Sequence, residues 1–177
     1  MAPTALVQRT DALGLCERLI GAPAEGGLAL FEGSAGSGKS ALIDAACAMG
    51  TARGLNVLRA TGSEFERDFA YGVVRQLFDP LLAGRSRRRS PQSRPARVAA
   101  AALGLAPESG ETDHAVRHAL LRILTEHAGE TPILLAIDDL ELVDSQSLDF
   151  LRYVAQRQAQ HRIVAVAALN QGNGGAG

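Results

Sequence analysis

Lysine is almost absent from this sequence: the chain has 18 basic residues, and the only lysine among them is Lys39. Cysteine is scarce as well. Cys16 and Cys47 match neither a paired-ligand spacing nor a disulfide framework, so we expect two reduced, buried thiols. A net charge of −1 and a pI near 6.4 exclude a general attraction to nucleic acid or to an anionic membrane surface.

Long apolar runs are missing too. No run is long enough to span a bilayer, and residues 1–10 lack the basic stretch followed by an apolar one that is typical of signal peptides. We therefore expect a cytoplasmic protein. A chain of 177 residues can bury one core of ordinary size, so we expect one domain over residues 1–170, followed by a flexible glycine-rich tail over residues 171–177.

Short apolar runs alternate with segments of helical spacing. Strands are predicted at residues 28–31, 56–60, 133–137 and 163–169, and the first of them, wholly apolar between glycines, is typical of a strand buried on both faces. Helices are predicted from Lys39 to a stop at Gly50, from Ala70 to Ala83 with a kink or an end at Pro80, from Thr112 or Asp113, and from Asp144 or Ser145. This alternation predicts an α/β fold with a parallel sheet covered by helices on both faces.

The strongest motif follows the first predicted strand. Residues 33–40 match G-x-x-x-x-G-K-[ST], in which glycines let backbone N–H groups surround the β-phosphate of a nucleotide. Lys39 is expected to contact the β- and γ-phosphates, and the Ser40 hydroxyl to contact Mg²⁺, so the cofactor is predicted to be ATP with Mg²⁺. The predicted nucleotide-binding residues are Gly33, Ser34, Ala35, Gly36, Ser37, Gly38, Lys39, Ser40 and, from the next motif, Asp138.

An acidic pair ends the apolar strand at residues 133–137. Asp138 is expected to hold Mg²⁺, and Asp139 is the catalytic candidate, because a carboxylate not tied to the metal can orient a water or accept its proton. The alternative for Asp139 is that it only caps the following turn.

Three weaker features allow structural explanations. His114 and His118 lie one helical turn apart, as metal ligands can, but no third ligand accompanies them, which favours an exposed helix face. Cys47 is interpreted as a core residue and not as a nucleophile. Residues 84–97 are rich in arginine, proline and serine, and are predicted to form a solvated loop; their arginines are Arg85, Arg87, Arg88, Arg89, Arg94 and Arg97.

With these motifs in place, residues 8–170 resemble the N-terminal nucleotide-binding part of the large ATP-binding LuxR-type transcriptional regulators, which are signalling P-loop ATPases of the STAND class. The most specific likeness is the segment GSEFERDFAYGVVRQLF at residues 62–78. The acidic pair followed by Asp144, Ser147 and Leu148 is similar to the acidic-strand motif of these regulators. The chain departs from them at Asn170, where they often carry arginine, although Asn170 could itself hydrogen-bond the γ-phosphate or the water.

This resemblance implies a three-layer P-loop fold with strand order 5-1-4-3-2 and the last strand missing. The strand at residues 28–32 is then an exposed apolar edge, which invites self-association. The relatives continue into a helical lid, a helical repeat region and a helix-turn-helix, so we expect an isolated domain or fragment that does not bind DNA by itself.

Three functional hypotheses follow. The favoured one is an ATP·Mg²⁺-binding switch module with slow or no hydrolysis, since the sequence shows neither a lid nor a sensor arginine to stabilise the transferred phosphoryl group. The second is a small P-loop kinase that uses the arginine-rich loop as a lid. The third is an interaction module that keeps the fold without binding nucleotide.

Overall fold

The structure is a computed structural model, and it describes residues 9–83, 94–105 and 110–171. Within these ranges strands alternate with helices, as predicted. The helices are α1 (Arg9–Gly21), α2 (Lys39–Ala52), α3 (Gly72–Ala83), α4 (Arg94–Ala102), α5 (Asp113–Glu130) and α6 (Ser145–Ala155). The strands are β1 (Gly27–Gly33), β2 (Asn56–Thr61), β3 (Ile133–Asp138) and β4 (Ile163–Asn170). Of the predicted tail at residues 171–177, residues 172–177 lie outside the described residues.

The four strands form one parallel sheet in the order β1-β4-β3-β2. This confirms the predicted α/β fold and strand order, with β1 at an edge. The register brings the motifs to one end of the sheet, because Gly33 of β1 pairs with Asn170 of β4, and Thr61 of β2 pairs with Asp138 of β3. The glycine loop, Asn170 and the acidic pair therefore share the carboxyl edge, where ligands of open α/β sheets bind.

Helices cover the sheet on both sides. On one face, Cys16 of α1 and Ile43 of α2 are fully buried in the core against the strands. On the other face, Phe78 of α3 and Phe150 of α6 are fully buried, and their rings meet edge to face at a centroid distance of 5.8 Å. Every residue of β3 is buried between the two layers. Within the described ranges, no helix combines the length and apolarity needed to cross a membrane.

Strand β1 is buried on one face only, so the prediction of a strand buried on both faces is wrong. Ala29 and Phe31 face α1 and α2, whereas Leu28 and Leu30 are 48% and 46% exposed. The reason is that the second helical layer packs on residues of β2, β3 and β4 and does not include β1.

The predicted stop of helix α2 at Gly50 is wrong, because the helix continues to Ala52. Gly50 is buried where α2 approaches the sheet, and a Cβ there would lie 2.7 Å from Leu134 Cδ2 and 3.1 Å from Val57 Cγ2. Glycine at this position therefore permits close packing, and the turn after the helix uses Gly54, which has a φ of +76°.

Helix α3 begins at Gly72 and not at Ala70, and it continues through Pro80 to Ala83. Its start is set by Tyr71, whose φ of +61° lies in the left-handed region and breaks the helical path. The helix does not end at Pro80, and that part of the prediction is wrong.

The arginine-rich loop is shorter than predicted at its carboxyl end. Arg94 and Arg97 lie in helix α4, which packs on α5. Residues 84–93, with the other four arginines of this segment, lie outside the described residues.

Candidate nucleotide-binding site

The loop between β1 and α2 has the geometry of an anion cradle. Gly36 and Gly38 have φ values of +77° and +87°, which residues other than glycine rarely adopt. Gly33 is required for space, since a Cβ there would lie 2.8 Å from the Ser37 hydroxyl oxygen. Helix α2 starts directly after Gly38, and no side chain caps its N-terminus. The first N–H groups of α2 are therefore available to an anion.

The side chain of Lys39 lies over the same loop. Its Nζ donates to the carbonyl oxygens of Gly33 at 3.0 Å and Ser34 at 2.7 Å, and to Ser37 Oγ at 3.3 Å. An ionised phosphate oxygen is a stronger acceptor than a carbonyl or a hydroxyl, so a phosphate in the cradle can replace these partners. Ser40 follows as the second residue of α2 and is exposed.

Asp138 is the last residue of β3 and is 5% exposed. Its Oδ1 accepts the N–H of Asp139 at 3.0 Å. A Mg²⁺ ion uses one or two protein oxygens and completes its shell with water and phosphate, and one hydroxyl with one carboxylate fits that requirement. In the described part of the chain, no group of three or more His, Cys, Asp or Glu side chains is placed to hold a metal.

Asp139, Glu141 and Asn170 form a polar cluster beside the cradle. Asp139 has a φ of +48° and precedes the 3-10 turn Leu140–Leu142, but its side chain does not cap that turn. The carboxylate instead accepts a hydrogen bond from Asn170 Nδ2 at 3.0 Å. The Glu141 carboxylate accepts hydrogen bonds from two nitrogens of Asn170, the backbone N–H at 2.9 Å and the side-chain Nδ2. Three hydrogen bonds thus join the acidic turn to the end of β4.

The pKa values of the two carboxylates of this cluster are shifted in opposite directions. Burial, with the negative charges of Asp138 and Glu141, raises the pKa of Asp139 against the opposing effects of Asn170 and Lys39. For Glu141, burial acts in the same direction, but hydrogen bonds from Asn170 and from its own backbone, with the charge of Lys39, lower the pKa. The pKa of Asp139 is therefore shifted toward proton uptake and that of Glu141 away from it, which favours Asp139 as a proton acceptor.

Comparison with known proteins agrees with this geometry. Residues 5–166 match the family described as AAA ATPase domain. The chain belongs to this family. As an AAA ATPase domain it is a nucleotide-binding ATPase module, which confirms the P-loop ATPase class that the sequence predicted. No curated protein is similar enough to this AAA ATPase domain to count as a match.

A solved structure shows the same fold. The ORC2 protein of Aeropyrum pernix, solved as ADPNP–ADP complexes, is similar to this AAA ATPase domain with a TM-score of 0.52 and 17% sequence identity. The match covers 97% of this chain and 43% of that chain, so the domain spans less than half the length of that protein. At this identity the likeness shows the fold alone.

The weaker candidates have ordinary structural surroundings in the AAA ATPase domain. His114 and His118 are exposed on α5, and the His114 ring lies 6.2 Å from that of Tyr153. Arg94 pairs with Glu111 at 3.2 Å.

Both cysteines are free, as predicted. Cys47 is half-buried rather than buried, and burial raises the pKa of both thiols, to about 11 for Cys16. Raised pKa values keep both thiols protonated near neutral pH, which agrees with the absence of a nucleophilic role for Cys47.

Sequence reasoning missed what Asp144 does beyond its own helix. Its carboxylate, 2% exposed, accepts the N–H of Ser147 at 2.8 Å in α6 and also those of Tyr71 at 2.9 Å and Val73 at 3.2 Å at the start of α3. The Ser147 hydroxyl accepts the N–H of Val74 at 3.0 Å. The sequence predicted Asp144 or Ser145 as the cap of α6, and Asp144 is that cap. No local pattern shows that Asp144 and Ser147 also accept the first N–H groups of α3.

Gly62 joins the segment after β2 to the acidic turn. Its N–H donates to the carbonyl oxygen of Asp138 at 3.0 Å. A Cβ on Gly62 would collide with the carbonyl oxygen of Asp139 and lie 3.0 Å from the carbonyl carbon of Leu142. The segment that carries the LuxR-type resemblance therefore contacts the acidic turn at Gly62 and α6 through Asp144.

Proposed function

We propose that this chain is an ATP·Mg²⁺-binding switch module of a signalling ATPase, with slow or no hydrolysis by the isolated chain. The observation that supports the proposal is the convergence of three groups at one sheet edge: the glycine loop with Lys39, the buried carboxylate of Asp138, and the Asn170–Asp139 pair. A nucleoside triphosphate needs N–H donors, a cation and a carboxylate for its metal, and this edge offers all of them.

Each residue has a proposed role. The backbone of residues 33–40 binds the phosphates, and Lys39 exchanges the carbonyls of Gly33 and Ser34 for β- and γ-phosphate oxygens. Ser40 and Asp138 hold Mg²⁺, which neutralises phosphate charge when it is bound. Asp139 orients the attacking water or accepts its proton, and its raised pKa supports this role.

Hydrolysis is proposed to be slow because, in the part of the chain that the structure describes, no second cation hydrogen-bonds to the site. Lys39 is the cation whose charge acts on Asp139 and Glu141, and no arginine among the described residues hydrogen-bonds to the glycine loop or to the acidic turn. An arginine supplied in cis or in trans accelerates phosphoryl transfer by about 10³ to 10⁵. A module without one holds its nucleotide until another chain or domain supplies the charge.

We also propose that the signalling ATPase is a LuxR-type regulator of the STAND class. The segment at residues 62–78 supports this, because it resembles those regulators and contacts the acidic turn at Gly62 and α6 at Asp144. The ADPNP–ADP complexes of the ORC2 protein favour ATP as the nucleotide. Partners are the nucleotide and, through the β1 edge, a second copy; neither DNA nor membrane contact is proposed for this chain, and its location is proposed to be cytoplasmic.

The test is equilibrium binding of ATP, ADP and GTP, with and without Mg²⁺, to the wild type, to Lys39→Ala and to the control Arg53→Ala, which removes an exposed cation beyond the other end of α2. We expect Lys39→Ala to weaken ATP binding at least about tenfold, because it removes charge-assisted hydrogen bonds to phosphate. Arg53→Ala should bind like the wild type.

Thermal unfolding in saturating ATP gives an independent readout, since a ligand that binds only the folded state raises the melting temperature. The wild type and Arg53→Ala should gain stability from ATP, and Lys39→Ala should gain less. No measurable ATP binding and no ATP-dependent shift in any of the three proteins would support the interaction module that binds no nucleotide.

A further inference from the structure

The Asn170 side-chain amide donates hydrogen bonds to two carboxylates. Its Nδ2 group donates to Asp139 Oδ1 at 3.0 Å and to Glu141 Oε1. A primary amide has two N–H donors, and ionised carboxylates accept but do not donate, so the nitrogen of the amide faces both acids and each of its hydrogens has a partner. The group that remains is the carbonyl oxygen Oδ1, which is an acceptor.

These two hydrogen bonds restrict what the Asn170 side chain can contact at the phosphate end of the site. Asn170 pairs with Gly33, the first residue of the glycine loop, so the residue lies beside the cradle. A γ-phosphate oxygen is an acceptor and requires a donor. The Asn170 amide can donate to the phosphate only if its hydrogen bond to Asp139 or to Glu141 breaks.

Glu141 is the partner that fixes this arrangement. Its carboxylate takes the backbone N–H of Asn170 as well as the side-chain amide, which holds the residue at two points. Glu141 also lies within range of the Lys39 charge. A rotation of the Asn170 amide toward a phosphate must therefore break its hydrogen bond to the Glu141 carboxylate.

We propose that Glu141 is a positioning residue that competes with the γ-phosphate for the Asn170 amide and so limits the preference of the site for ATP over ADP. The proposal rests on the proposed nucleotide-binding function. With Glu141 in place, Asn170 presents an acceptor that can orient a water molecule, and ATP and ADP differ little in the contacts that this residue gives them. Without Glu141, one N–H of the amide is released to the γ-phosphate, which ADP lacks.

The experiment measures the ratio of the dissociation constants, Kd for ADP over Kd for ATP, in Mg²⁺. The variants are Glu141→Ala, Asn170→Ala and the double variant, with Glu130→Gln as the control for loss of an exposed acidic charge elsewhere. We expect Glu141→Ala to raise the ratio about tenfold, the value of one hydrogen bond to a charged acceptor. Asn170→Ala alone should change it less than about twofold, because the wild-type amide does not donate to phosphate.

The double variant separates this effect from simple charge removal. Loss of a negative charge near the phosphates also favours ATP, but it does so whether or not Asn170 is present. We expect the Glu141→Ala effect to fall below about twofold in the Asn170→Ala background. Equal effects in both backgrounds, or no effect in either, would overturn the proposal while leaving nucleotide binding intact.

Two further results are decisive. A fall in the ratio in Asn170→Ala alone would show that the amide already donates to the γ-phosphate, and the proposal would be wrong. Failure of the wild type to bind either nucleotide would remove both this proposal and the function on which it rests. Glu141→Gln keeps the size of the side chain and one neutral acceptor for the Asn170 amide, so it should raise the ratio less than Glu141→Ala does.

Discussion

At the scale of single residues, buried polar side chains that accept backbone N–H groups hold the helices next to the site in place. Asp144 is the strongest case, since one carboxylate accepts N–H groups from α6 and from the start of α3. Charged acceptors of backbone N–H groups form the stronger class of protein hydrogen bonds, and a partner left unsatisfied in the interior costs its full desolvation.

Asp144→Ala is therefore expected to lower the free energy of unfolding by about 3 kcal/mol, measured by urea denaturation. Asp144→Asn, which keeps one carbonyl acceptor, should lose less. Ser145→Ala, a change at the neighbouring exposed position, should stay within about 0.5 kcal/mol of the wild type. A loss below about 1 kcal/mol in Asp144→Ala would contradict the role of the carboxylate as a cap of two helices.

The residues of the site were predictable to different degrees. The glycine loop is contiguous, and its eight positions have a fixed spacing, so Lys39 and Ser40 could be proposed as phosphate and Mg²⁺ ligands from the sequence alone. The contact of Glu141 with Asn170 joins residues 29 positions apart and exists only because β3 and β4 are neighbours in the sheet. No periodicity in the sequence encodes that contact.

At the scale of elements, the two glycines within helices α2 and α5 give a matched test of packing. Gly50 in α2 faces the sheet at a position where a Cβ would lie 2.7 Å from Leu134 Cδ2, whereas Gly129 in α5 has nothing within 4 Å of the added atom. Alanine is favoured over glycine in a helix by about 1 kcal/mol, but overpacking a core costs about 1 to 3 kcal/mol.

Gly129→Ala should therefore stabilise the protein by about 0.5 kcal/mol, a reduced value because the residue is near the end of α5. Gly50→Ala should destabilise it by about 1 kcal/mol. Chemical denaturation of both variants measures the difference. Stabilisation of both to the same extent would mean that Leu134 moves aside without cost, and that the approach of α2 to the sheet does not depend on glycine.

Elements could be predicted where burial leaves a simple pattern. Parallel strands buried on both faces are continuous apolar runs, and β3 and β4 were found for that reason. Their order in the sheet came from the family resemblance and not from the pattern. Helix α1 was not predicted because its buried positions, Ala12, Cys16 and Ile20, form a narrow stripe of one residue per turn. Helix α4, rich in alanine, is defined by its packing on α5, which the sequence does not show.

At the scale of the whole molecule, the exposed side of β1 is a surface open to association. Leu28 and Leu30 lie on the outermost strand, whose outer edge pairs with no other strand in the described ranges. Such edges pair with other chains unless charges or covering elements prevent it.

We expect sedimentation velocity to show concentration-dependent association of the wild type. Leu30→Lys should shift the equilibrium to monomer, because a charge on an edge strand opposes pairing. Leu105→Lys changes an equally exposed leucine elsewhere, at 51% exposure, and should leave the association unchanged. A wild type that is monomeric at all concentrations would remove self-association from the proposed function.

The position of β1 also determines when the site can form during synthesis. Within the sheet β1 pairs with β4 alone, and the pairing of Gly27 with Val164 joins residues 164 − 27 = 137 positions apart. A ribosome adds about 5 to 20 residues per second, so the strand that leads into the glycine loop waits on the order of ten seconds for its partner. If ATP is the ligand, as proposed, it can stabilise the domain only once β4 has paired with β1, and the nascent chain must reach that stage without help from its ligand.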